Sequence, residues 1–175
     1  MNTIQLEIIK NIVIRAEEEG LVLWLDGGWA IDFLLGKISR DHSDIDIVFE
    51  ITKKDIYKKI LSDLGFSDKE DTDYGFLSSN DSILIDSEGC EMKDGTYRLE
   101  GYPENSFPIE KTGTLNNFHL RCVSWDKMFI EYLWLEKQVP KSEWQSKHFM
   151  NLEVFNEKIT LDQQKLLRDY FNRKV

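Results

Sequence analysis

The sequence predicts an α/β front followed by a helical rear, and three observations carry that expectation. A helical period over 3–19 precedes a short, almost continuously apolar run at 21–25. Alternating apolar residues at 44–49 follow a glycine pair, and from Ser124 onward a helical period returns. At 175 residues and 41% hydrophobic, with only 3 Pro and 10 Gly, the chain fits one ordinary domain or a catalytic core with a small appended part. A long multidomain machine and a disordered or collagen-like chain are excluded.

In the first helix Ile9, Val13 and Ala16 recur on one side, flanked by Ile8 and Ile12, and the period stops before Gly20. The run Leu21-Val22-Leu23-Trp24-Leu25 reads as a buried strand ending at Asp26-Gly27-Gly28. Residues 29–35 have room for two helical turns before Gly36, so the glycine pair lies where a strand turns into a helix. In the strand at 44–49, Ile45, Ile47 and Phe49 form the buried face. Thr52 is the expected cap of a helix over 53–64, closed by Gly65. Strands at 74–79 and 82–86, separated by Asn80-Asp81, read as a hairpin, with shorter strands at 96–100 and 118–123. Beyond Ser124, Trp125, Phe129, Tyr132 and Leu133 line one face until Pro140 interrupts it. Ser142 and Thr160 are candidate caps for two further helices, the second with Gln163 at the capping-box position. The expected division is a core of residues 1–123 and a helical C-terminal region of residues 124–175.

The charge balance narrows the partners. With 32 Asp plus Glu against 22 Lys plus Arg, the formal charge of -10 repels a polyanion and mildly attracts cations, so no nucleic-acid partner is expected. Cys90 and Cys122 are too few for a disulfide framework and suit a reducing compartment. Glu7, Lys10 and Arg15 interrupt the first helix, which therefore does not read as a signal peptide, and no apolar run approaches the roughly 20 residues of a membrane span. The expected address is cytoplasmic, with no membrane partner, and the expected state is a monomer or weak homodimer.

The chemistry concentrates in a few positions. Asp44 and Asp46, two apart in a strand, project from one face with Cα atoms about 6.5 to 7 Å apart and can grip a common ion. Acids are depleted in strands, and two like charges on one face are costly unless a cation or solvent offsets them. The plain alternative is an exposed edge strand with polar teeth. Against it stand three additions: Gly27-Gly28, which permits close backbone approach where a helix opens towards phosphate oxygens; Arg40, a forked cationic donor; and Asp86, a third carboxylate. Together they supply what nucleotidyl transfer requires, namely a phosphate cradle, metal ligands and a base. Hard oxygen ligands without a cysteine cluster favour Mg2+, and two ions about 3.5 to 4 Å apart would hold the attacking and leaving oxygens.

These residues resemble the DNA-polymerase-β-like nucleotidyltransferase superfamily, whose signature is Gly-Gly or Gly-Ser followed by Asp-x-Asp. The longer string Asp26-Gly27-Gly28-Trp29-Ala30-Ile31-Asp32, then Arg40-x-His42-x-Asp44-Ile45-Asp46, is similar to the small antibiotic nucleotidyltransferases, and most to the aminoglycoside 2''-O-nucleotidyltransferases. The resemblance continues through Asp73-Tyr74-Gly75-Phe76-Leu77, Asp86-Ser87-Glu88, Arg121-Cys122-x-Ser124-Trp125, Glu131-Tyr132, Val139-Pro140 and Trp144-x-x-Lys147-His148, nearly the whole chain. It implies the minimal nucleotidyltransferase fold, a mixed sheet flanked by helices with a small C-terminal helical part.

The implied reaction is Mg-dependent transfer of AMP from ATP to the 2''-hydroxyl of a polycationic aminoglycoside of the kanamycin, gentamicin or tobramycin type, with pyrophosphate released. Asp44, Asp46 and Asp86 would be catalytic and metal-binding, Asp86 also activating the sugar hydroxyl. Gly27, Gly28, Arg40 and Lys147 would bind nucleotide. Tyr74, Glu88, Glu131 and Tyr132 would bind the acceptor, and Glu88 separates the aminoglycoside type from lincosamide enzymes, which tend to carry His there. Asp26, where the resembled family has another Gly, adds an acid beside the cradle.

Other groups carry two readings. Asp32 is expected as a helix-surface acid with a direct site role as the alternative, and His42 either orients its loop or makes a plain polar contact. Trp24, Trp29 and Trp125 are expected as core anchors. The competing functions are lincosamide O-nucleotidyl transfer by the same core and a noncatalytic, antitoxin-like nucleotide-binding protein.

Overall fold

The computed structural model describes residues 2–174, which form two compact units. One holds the residues up to Leu99 together with Phe107–Val123; the other holds Glu100–Ser106 and the residues from Ser124 onward.

The first unit is built around a six-stranded mixed sheet. Its elements in chain order are α1 (Asn2–Glu18), β1 (Leu23–Asp26), α2 (Gly27–Leu35), β2 (Asp44–Glu50), α3 (Lys54–Asp63), β3 (Ser67–Asp71), β4 (Gly75–Ser79), β5 (Leu84–Lys93), β6 (Thr96–Arg98), β7 (Gly113–Leu115) and β8 (Phe118–Leu120). The strand order is β1-β2-β5-β4-β3, with β6 paired to the far end of β5, and β7 and β8 form a separate two-stranded sheet. The β2–β5 pair is parallel; its neighbours β1–β2 and β4–β5 are antiparallel. Residues Arg121 to Val123 add to the outer edge of β1, through Leu25 N–H to the Arg121 carbonyl at 2.8 Å and Val123 N–H to the Leu25 carbonyl at 3.0 Å.

Alternation along β2 decides the two faces of this sheet. Ile45, Ile47 and Phe49 point to one side and are essentially unexposed, as their period predicts. There they meet Ile85 and Phe76 from neighbouring strands, and Tyr57 of α3 closes the layer with ring centroids 4.9 Å from Phe49 and 5.6 Å from Phe76. Burial pushes the Tyr57 phenol far up, so it stays neutral beside the Ser87 hydroxyl. On the opposite face Trp24 packs edge-on to Tyr97 and Phe107, with indole N–H donating to the Pro108 carbonyl at 2.6 Å.

Three expectations are corrected. The hairpin at 74–79 exists, with Asn80 accepting from the N–H groups of Ser82 and Ile83, but its second strand runs from Leu84 to Lys93, so Asp86 lies near the strand's start. Strand β3 was not expected: Ser-Asp-Lys-Glu-Asp is polar and fully exposed, and it extends only because β4 supplies a partner, its charges suiting an edge strand. Thr52 does not cap α3, since its hydroxyl donates to Glu50; a 3-10 turn over Ile51–Lys53 leads into the helix instead.

The second unit contains α4 (Trp125–Gln138), α5 (Ser146–Lys158) and α6 (Leu161–Lys174). Ser124 caps α4 by accepting from Lys127 N–H at 3.2 Å, and Thr160 caps α6 by accepting from Gln163 N–H at 3.3 Å. The Gln163 side chain turns to Asp126 rather than back to the cap. Ser142 lies in a 3-10 turn, and Gln145 with His148 forms the capping box of α5. Phe129, Tyr132, Trp144 and Phe155 form the aromatic core of this unit. Among the described residues, no helix is long and apolar enough to cross a membrane.

Gly75 opens β4 opposite Glu88 of β5. A Cβ there would lie well under 3.0 Å from the Ser87 carbonyl oxygen, and backbone cannot swing aside as a side chain can. Gly75→Ala is expected to lower stability by about 3 kcal/mol or more, read as a lower urea midpoint with an unchanged slope.

Candidate active site

Sheet register gathers the acids. Asp46 pairs with Asp86 across the parallel β2–β5 ladder and with Asp26 across the antiparallel β1–β2 ladder, so three carboxylates stand in one row on one face. Neighbouring strands are about 4.8 Å apart, a spacing at which carboxylates can share an ion. Asp44 lies two residues along β2 and Glu88 two residues along β5, both on this same face. Asp44, Asp46, Asp86 and Glu88 are all partly exposed. Oxygens of Asp26 and Glu88 come within 4.8 Å of each other. Such a hard, acid-only donor set fits a divalent cation of the magnesium type.

The glycine pair is fixed by what lies opposite it. Gly27 has φ of +56°, in the left-handed region, and a Cβ there would fall within 3.0 Å of the Asp46 carboxylate. At Gly28 a Cβ would fall equally close to the Arg40 guanidinium and the His42 ring. The helix start, the Asp46 carboxylate and the Arg40 side chain therefore meet with no room for a side chain between them. Asp26 also caps this helix: it is 5% exposed, and its carboxylate accepts from Gly27 N–H at 2.8 Å. The additional acid noted from sequence is thus part of the turn itself.

Behind the turn lies a buried network that sequence reasoning missed. Asp32 is fully buried, not a helix-surface acid. Its carboxylate meets His42 Nε2 at 2.6 Å and accepts from the Ser39 N–H at 3.0 Å and the Ser39 hydroxyl at 2.5 Å. The His42 ring stacks on Trp29 at 4.4 Å. From α1, Asn2 donates to the Arg40 carbonyl at 2.8 Å and accepts from His42 N–H, while Gln5 links the His42 carbonyl to the Trp29 indole. The loop carrying Arg40 is tied down on both sides, so Arg40 meets Gly28 with little ordering left to do. A signal was available: Asp32 is the single charge in Trp29–Leu35, a helix apolar all round, and such a helix is buried.

Tyr74 is half-exposed just before β4, and Gly89 N–H donates to its carbonyl. The charge of Asp86, then partial burial, with smaller contributions from Glu88 and Glu70, raise its phenol above the usual range, so it remains a hydrogen-bond donor. In the second unit, Glu131 lies on α4 and pairs with Lys127. Tyr132 is buried among Phe129, Trp144 and Phe155, and Lys147 stands in the first turn of α5.

A row of carboxylates on a mixed sheet, beside a glycine turn that opens a helix, defines a nucleotidyltransferase core. The sequence pattern of the family described as aminoglycoside-2''-adenylyltransferase matches residues 8–151. A 2''-aminoglycoside nucleotidyltransferase of Escherichia coli is 32% identical over 174 residues, 99% of this chain and 98% of that protein. A crystal structure of ANT(2'')-Ia in complex with adenylyl-2''-tobramycin superposes with a TM-score of 0.93 at 31% identity, covering 97% of each chain. A lincosamide resistance protein of Staphylococcus haemolyticus is 48% identical over a shorter stretch, 54% of this chain and 68% of that protein. The chain belongs to the aminoglycoside-2''-adenylyltransferase family, within the DNA-polymerase-β-like superfamily, and is an enzyme of the nucleotidyltransferase class.

Asp32→Ala removes the partner of three contacts at once, the one with His42 buried and the two with Ser39 part-buried. Its expected cost is about 3 kcal/mol or more, measured by urea denaturation; a loss below 1 kcal/mol would show that the loop does not depend on this pin.

Proposed function

We propose that this protein transfers AMP from Mg-ATP to the 2''-hydroxyl of a kanamycin-, gentamicin- or tobramycin-type aminoglycoside, releasing pyrophosphate. The observation that carries the reading is the cross-strand pairing of Asp46 with Asp86, with Gly27 pressed against Asp46 and Gly28 against Arg40. Asp44, Asp46 and Asp86 hold the metal, as two ions. When bound, magnesium neutralises triphosphate charge and polarises the α-phosphate.

The chain's own groups do the rest. Gly27 and Gly28 present backbone at a helix start, where unpaired N–H groups favour phosphate oxygens, and Arg40 adds a charged fork. Lys147 is assigned to the nucleotide as well. Asp86 accepts the proton of the attacking hydroxyl, which then displaces pyrophosphate from the α-phosphorus. Tyr74 and Glu88, with Glu131 and Tyr132, are assigned to the acceptor, the acids facing ammonium groups and Tyr74 donating a hydrogen bond.

Purified protein incubated with Mg-ATP and a panel of kanamycin, tobramycin and clindamycin tests the reading. A product heavier by one AMP, modified at the 2''-hydroxyl by NMR, is expected with the aminoglycosides. The 48% identity to a lincosamide resistance protein over half the chain favours clindamycin as the second acceptor to test. Modification of clindamycin alone would replace the first reading with that one.

Asp86→Asn is expected to slow single-turnover transfer by a factor of about 100 or more while nucleotide affinity changes far less. Unchanged transfer would remove Asp86 as base. Glu88→Gln is expected to weaken tobramycin binding about fivefold to tenfold and clindamycin binding little, by calorimetry; equal effects on both would detach Glu88 from acceptor choice.

A further inference from the structure

Lys127 occupies a position that physical chemistry disfavours twice. It is a fully buried lysine, where the usual place for that ammonium is in water. It also stands in the first turn of α4, two residues after the helix begins, where the helix dipole opposes a positive charge. What holds it is specific. Its Nζ pairs with the Glu131 carboxylate one turn along the helix, and lies 4.9 Å from the centroid of the Tyr102 ring. Tyr102 is fixed in turn, its carbonyl accepting from the Tyr170 hydroxyl at 2.7 Å.

A carboxylate and an aromatic face are the two groups that recognise a ligand ammonium. Here the same pair grips an ammonium of the protein's own. Glu131 keeps partial exposure, with its side chain 35% accessible, whereas the Lys127 side chain has none.

We propose that Lys127 is a specificity-determining residue that acts as a built-in ammonium at Glu131. It competes with the acceptor's amino groups and so narrows the range of aminoglycosides the enzyme binds well. The proposal rests on the assignment of Glu131 to the acceptor. A ligand that engages Glu131 must draw it from Lys127, and only an acceptor with a well-placed ammonium recovers that loss. Lys127 acts through Glu131 rather than on the reacting atoms. This separates it from the catalytic acids of the sheet.

The test is tobramycin binding by calorimetry, with a non-transferable ATP analogue present, to the full chain and to Lys127→Met, Glu131→Gln and the double variant. Lys127→Met keeps the buried volume and removes the charge, and it is expected to bind tobramycin about tenfold more tightly. Glu131→Gln is expected to cost more affinity in the Lys127→Met protein than in the parent. If Lys127→Met does not fold, Lys127→Gln carries the same expectation. Equal or weaker binding by a folded Lys127 variant, with Glu131→Gln still weakening the parent, overturns the competition while leaving Glu131 as an acceptor contact. No effect of Glu131→Gln in either background overturns both.

Discussion

Everything in the first unit converges on the contact between Gly27 and the Asp46 carboxylate. A strand must end, a helix must begin, and an acid of the carboxylate row must stand beside the turn, all within the space one methyl group would fill. The antiparallel β1–β2 register brings Asp26 and Asp46 opposite each other, and the left-handed backbone at Gly27 lets the chain turn without striking the carboxylate. With that contact in place, the parallel register to β5 brings Asp86 alongside. The glycine turn and the carboxylate row then stand side by side on one sheet face.

Holding several carboxylates together has an electrostatic cost that the surroundings must manage. Asp26 relieves part of it by accepting from Gly27 N–H at the helix start. The remaining acids stay partly exposed, where water weakens their mutual repulsion. The cationic side is fixed by hydrogen bonds to its loop. Arg40 is carried on a loop held by Asp32, His42, Asn2 and Gln5, so residues of α1 and α2 together fix where Arg40 stands beside Gly28. Lys127 in the second unit follows the opposite logic, a charge kept buried and paired where an acceptor's own charge is expected.

The sequence made the local pieces legible where their patterns were strong. The alternation of Ile45, Ile47 and Phe49 identified β2 and its buried face, the glycine pair marked the strand-to-helix turn, and Ser124 marked the start of α4. It could not supply register, because pairing Asp46 with Asp86 joins strands 40 residues apart with no local signal. Edge strand β3 was invisible for a related reason, since its polar residues extend only against a partner. Asp32 was misread because a lone acid in a helix suggests solvent, whereas the apolar residues around it required burial. The role of Lys127 lay hidden because its spacing to Glu131 is that of countless solvated helix pairs, and only burial distinguishes it.

The central claim is that the acid row and the glycine turn together bind metal and triphosphate. Manganese, a paramagnetic stand-in for magnesium, tests it directly when titrated with ATP into isotope-labelled protein followed by NMR. Resonances of residues 26–28, 44–46 and 84–88 are expected to broaden first and together. Sharp signals there, with broadening centred elsewhere on the chain, would contradict it.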